Sequence, residues 1–89
     1  MDLNDFLEAD QNMALQETIC ITNCLFMMRS ELIKGDFMRA RLAAENVVRS
    51  FKSLEEMQLR KKKRDEYINL LRQVQEKGMA VVVIRGYTP

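Results

Sequence analysis

A chain of 89 residues is one domain's worth of polypeptide, and at that size only about 60–65% of the unfolded surface is buried on folding. Hydrophobic residues make up 47% of it, too many for a disordered tail, and seven methionines without a tryptophan suit irregular helical packing or a surface that adapts to a partner. Net charge is +1, but six acids oppose two bases in residues 1–34 and seven acids oppose twelve bases in residues 35–89, a polarity that favours antiparallel packing within a chain or between two.

Punctuation is sparse, with glycine only at Gly35, Gly78 and Gly86 and proline only at Pro89, so long helices are expected between the glycines. From Leu3 to Ile33 apolar residues recur mostly at spacings of three, four and seven, which predicts an amphipathic helix over about 3–33. Asp2 is its expected N-cap, and Asp10, Gln11 and Asn12 are where its first turns would be interrupted. Between Ile19 and Met28 the stripe widens to most of the circumference, implying contact on more than one side. Ile19, Phe26 and Met27 are therefore candidate protein-interface residues.

Cys20 and Cys24, the only cysteines, are one helical turn apart and read as buried small hydrophobes. Neither histidine nor a third cysteine is present to complete a metal site, so no metal and no cofactor is expected. Two thiols on one helix are no disulfide framework and fit a reducing interior. The start of the chain does not read as a secretory leader, and the unbroken apolar run Cys24 to Met28 is too short to span a bilayer. The expected location is cytoplasmic, or nuclear in a host with a nucleus, with no membrane partner.

Lys34, Gly35 and Asp36 combine a last-turn cation, a C′ glycine and a capping aspartate, the composition of a tight turn between helices. A second helix is predicted over about 37–50, with Phe37, Met38, Arg41, Ala44, Val47, Val48 and Phe51 along its stripe. Ser53 and Glu56 match a capping box, which predicts a break near Ser50 to Ser53 and a third helix over about 54–77; the alternative is one continuous helix from Phe37 to Lys77. After Gly78 the run Ala80, Val81, Val82, Val83, Ile84 reads as a short strand over about 80–85. With no mate for it in the chain, Val81 and Val83 are candidate interface residues, pairing with a second copy or with a partner's sheet edge.

The stretch KGDFMRARLAAENVVRS, Lys34 to Ser50, resembles the helix after the turn in tetratricopeptide-like units and in ESCRT-III-type subunits, which share a Gly-Asp turn and an Ala-rich helix bearing arginines. It covers about a fifth of the chain. No repeat follows at the tetratricopeptide period, so no function is carried over from it.

Catalysis needs a nucleophile, a proton-transfer group or a metal in a concave site. The acids here lie on predicted helix faces rather than paired in loops, and no glycine-rich phosphate loop precedes a helix, so no catalytic residue is expected and the chain reads as a non-enzyme. Its most distinctive local feature is the block Arg60, Lys61, Lys62, Lys63, Arg64, five consecutive bases that cover every side of a helix. They are either phosphate-binding candidates or a solvated patch balanced by Glu55, Glu56, Asp65 and Glu66.

The expected fold is mostly α, a single domain over 1–89: a helical hairpin or three-helix arrangement with one short C-terminal β-strand. Helices with apolar faces this wide cannot cover each other fully and need another subunit or a partner. The expected function is a small protein–protein interaction module, an adaptor, chaperone-like protein or inhibitor acting as a homodimer or within a complex. The alternative is a dimeric helical nucleic-acid-binding regulator using residues 60–64.

Overall fold

The computed structural model describes residues 1–77, which form a short 3-10 turn (Leu3–Asp5) and two α-helices, α1 (Glu8–Lys34) and α2 (Phe37–Lys77). The chain is almost entirely helical, and among the described residues there is no strand. The proposed strand over 80–85, with Val81 and Val83, lies outside the described residues.

The N-terminus departs from its sequence reading. Asp2 does accept a backbone bond, from Asn4 at 2.9 Å, but it caps the 3-10 turn rather than a long helix. The chain then straightens at Phe6 (φ −122°, ψ 151°), and α1 begins at Glu8 with Leu7 as a cap that offers no side-chain acceptor. The interruption thus falls at Phe6–Leu7, ahead of Asp10, Gln11 and Asn12, which are all helical. Its cause is packing: Phe6 is 2% exposed and joins Ala14 and Met57 in one buried cluster, with Leu54 against it.

β-Branched residues cluster at Thr18, Ile19, Ile21 and Thr22, yet α1 runs through them. The Thr18 hydroxyl donates to the Ala14 carbonyl at 2.9 Å and Thr22 to the Thr18 carbonyl at 3.0 Å, bonds that seat a threonine within a helix.

The turn follows its sequence reading. Gly35 stands at φ 79°, its N–H donates to the Leu32 carbonyl at 3.1 Å and the Asp36 N–H to the Glu31 carbonyl at 2.9 Å, which together make a Schellman motif. The Asp36 carboxylate then accepts from the Arg39 N–H at 3.1 Å and so caps α2.

No break occurs at Ser50 to Ser53; α2 is continuous over 41 residues, roughly 60 Å at 1.5 Å per residue. Serine disfavours a helix interior only mildly, and no proline or glycine lies in the segment. What decides it is the contact with α1. Ala40, Ala43, Val47, Ser50, Leu54, Met57 and Lys61 follow one another at alternating spacings of three and four, and all are buried or half-buried. Ala14, Glu17, Ile21, Cys24, Met28 and Glu31 repeat that pattern on α1. A break would end this seam after its first half.

The two helices lie antiparallel in one layer, within an envelope of 67 × 24 × 15 Å. Their seam alternates small side chains, Ala14, Ala40, Ala43 and Ser50, which let the backbones approach closely, with larger ones such as Ile21, Val47, Leu54 and Met57. Other large apolar residues are left elsewhere.

Candidate protein interaction surface

A one-layer hairpin has two broad sides, and here they differ in chemistry. Antiparallel helices are related by a local two-fold normal to their layer, so equivalent positions of the seam repeat point to the same side. The positions one residue after each seam residue define one side: Leu15, Thr18, Thr22, Leu25, Arg29 and Leu32 on α1, and Arg41, Ala44, Val48, Phe51, Glu55, Gln58 and Lys62 on α2, with Phe37 seven residues before Ala44. The positions one residue before define the other, among them Cys20, Asn46, Ser53 and Arg60. That assignment agrees with the surface relief, because Cys20, Asn46 and Ser53 line one shallow depression together with Glu17, Arg49 and Ser50.

The first side is apolar, and among the described residues nothing covers it. Leu15, Leu25, Leu32, Phe37, Val48 and Phe51 are all exposed, and the apolar surface continues round the outer edge of α1 through Ile19, Phe26 and Ile33, which are spaced seven apart. Phe26 is 77% exposed, Ile33 78% and Phe37 70%. Isolated surface leucines need no explanation, but nine large apolar side chains on one side and edge of so small a hairpin form a contiguous patch of the kind that marks a binding surface.

Sequence reasoning named Ile19, Phe26 and Met27 together. The structure puts Ile19 and Phe26 on this apolar edge and Met27 on the opposite side, in a depression with Glu31, Arg39, Leu42, Ala43 and Asn46. The stripe looked nearly circumferential because both of those sides carry apolar residues between Ile19 and Met28. Missing from that reading were Leu15, Leu25, Leu32, Phe37, Val48 and Phe51, whose alignment appears only once the seam is assigned.

The cysteines also differ from expectation. Cys20 is exposed on the polar side and Cys24 is half-buried in the seam, with their sulfurs 3.9 Å apart. Burial, and then the hydrogen bond and the charge of Cys20, push the Cys24 thiol up from its ordinary pKa. Among the described residues no third ligand stands near enough to make a metal site with them.

The basic block does not act as one unit. Arg60 donates to Asp10 at 2.9 Å, a bond that ties α2 to the first turn of α1 and raises the guanidinium pKa further. Lys61 occupies a seam position and pairs with Asp65 at 2.6 Å. Lys62, Lys63 and Arg64 are exposed and form no ion pair among the described residues. Asp10, fifty residues away in sequence, was not foreseen as a partner. Past the start of α1, α2 continues without another helix beside it among the described residues, and Tyr67, Ile68, Leu70 and Leu71 are exposed.

Among the described residues no helix is long and apolar enough to cross a membrane. Compared with protein-family models, curated proteins and solved structures, the chain finds no match, so the functional reading rests on its own residues.

Proposed function

We propose that this chain is a non-enzymatic protein–protein interaction module, which works through the apolar side of its helical hairpin as a homodimer or as part of a larger complex. The observation that supports it most is the placement of the large apolar residues. Ala14, Ala40, Ala43 and Ser50 share the buried contact with Ile21, Val47 and Met57, while other large apolar residues, among them Phe26, Ile33 and Phe37, stay exposed on one side and its edge. A domain that needed these exposed residues for its own core would have turned them into the seam. A single layer covers neither of its broad sides, and a second layer from another chain completes the usual architecture. The free thiols fit work in a reducing compartment, the cytoplasm or a nucleus.

The nucleic-acid reading is the weaker one, because two of the five bases in the 60–64 block are engaged within the hairpin. Three cations on one helix are a thin footprint for phosphate binding.

The test compares the unmodified chain with Phe26→Asp as bait in the native host. Phe26 is so exposed that the substitution leaves the isolated hairpin folded, with unchanged helicity. Proteins that associate with the unmodified chain, whether its own copies or others, should be lost from the variant. If neither bait retains a protein, or both retain the same set, the apolar side is not a binding surface.

A further inference from the structure

We infer that the occupant of the apolar side is a second copy of this chain, laid on it antiparallel about a two-fold axis that crosses α2 at Val48, so that two hairpins make a four-helix bundle. The inference rests on the interaction reading above and adds the partner and its direction.

Area is the first argument. The exposed parts of the six side chains on this side, with the flanking edge of α1, amount to roughly 800 Å² per copy, the size of a standard stable interface per partner. A flat apolar strip about as long as α1 matches another strip of equal length and chemistry, whereas a short peptide would leave most of it wet.

Register is the second. With Val48 on the axis, a residue of α2 meets the partner residue equally far on the other side of position 48. Arg41, seven before it, then faces Glu55, seven after it, and the small Ala44, four before, falls within one residue of the level of the large Phe51, three after. On α1 the same operation sets Leu15 against Leu32 and Thr22 against Leu25, while Arg29 falls opposite Thr18 rather than another cation. Phe37 falls near the level of Gln58 of the other copy, and none of these residues meets a like charge.

The alternative stacking, turn over turn, lays α1 of one copy along α2 of the other at matching levels. It sets Arg29 over Arg41 at both symmetry-related contacts, near the turn, and Leu15 over Glu55 near the open end. Like charges forced together at a desolvated interface are a strong veto. Charge therefore selects the antiparallel form from two that area alone would allow. The Arg41 side chain already bonds Glu45 at 2.6 Å, which holds it extended along the outer surface of its helix until a second carboxylate arrives.

The test uses the full chain with Cys20 and Cys24 replaced by serine. Light scattering at micromolar concentration should give the mass of two chains. A chain carrying Leu15→Cys mixed with one carrying Ile33→Cys should form the mixed disulfide under mild oxidation, while Ile33→Cys alone should not cross-link to itself. Arg41→Glu and Glu55→Arg should each weaken the dimer at least tenfold, and the double variant should recover most of the loss. A mass of one chain overturns the inference but leaves the interaction reading open to another partner, which the bait comparison detects. Absence of the mixed disulfide, or no recovery in the charge-swapped variant, overturns the antiparallel arrangement.

Discussion

Replacing Met57 by alanine probes the one place where the N-terminal segment, α1 and α2 meet. Met57 is 1% exposed and packs with Phe6, Ala14 and Leu54. The substitution removes three heavy atoms from full burial, worth about 2.4 kcal/mol at ~0.8 kcal/mol per methylene. A cavity term of up to ~2 kcal/mol adds to this if the surroundings do not close in. Two walls of the site, Ala14 and Leu54, stand on long helices and cannot follow. Phe6 sits on a short segment held by the Asp5-to-Asp2 and Phe6-to-Leu3 backbone bonds, both 3.1 Å, and it can shift inward. The expected loss is therefore about 3 kcal/mol, in the lower half of the ~2–5 kcal/mol range for such truncations.

For a chain of this size that is a fall in Tm of roughly 12–24 °C. Urea unfolding followed by helicity gives the free energy directly, at two protein concentrations so that any contribution from association is separated. A loss under about 0.5 kcal/mol would mean that the N-terminal turn does not cover Met57, and the account of why the chain breaks at Phe6–Leu7 would fail with it.

Gly35→Ala should cost about 1 kcal/mol, through the positive φ alone, since an added Cβ meets nothing within 4 Å; Gly35→Asn should cost less, and equal melting of all three chains would refute the Schellman turn. Iodoacetamide at pH 8 should alkylate Cys20 several times faster than Cys24, because Cys20 is exposed whereas the raised pKa of Cys24 keeps it protonated; peptide mass spectrometry reads the order, and Cys24 reacting first would contradict it. Any retention on duplex DNA should weaken with salt with a log–log slope no steeper than about −3 per chain, from Lys62, Lys63 and Arg64, and should vanish when all three become glutamine. A slope near −5 would mean that Arg60 and Lys61 leave Asp10 and Asp65 for phosphate.

Much of the helical framework was legible because it depends on local chemistry. The turn at Lys34–Asp36 needs a residue that tolerates positive φ followed by a side chain that can cap, and Gly35 and Asp36 are visible in the sequence as such. The N-terminal break and the continuity of α2 were not legible from local signals. Ser53 and Glu56 form as good a capping box on paper as many that start helices, but a capping box is worth on the order of 1 kcal/mol. Keeping Leu54 and Met57 in register with Ala14 and Phe6 is worth more. At the other end the competition ran in reverse, where Phe6 gains more from burial than its backbone would from another turn of α1.

The exposed apolar side was half legible for a related reason. The widening of the apolar stripe between Ile19 and Met28 singled out Ile19, Phe26 and Met27 as interface candidates without saying which side each occupies. The alternation of three and four through Ala40, Ala43, Val47, Ser50, Leu54 and Met57 carries the missing signal, because only a strict seam repeat keeps these residues on one line over five turns. Once that line is taken as the internal contact, the next position round the helix reads Arg41, Ala44, Val48, Phe51, Glu55, with Phe37 seven residues before Ala44, a second repeat of the same period. Two parallel repeats on one helix, one buried and one exposed, are what a helix needs when it packs first against its own chain and then against another. Close packing along the first seam fixes the direction in which the second one faces, so the hairpin presents its apolar side already formed rather than ordering it on contact.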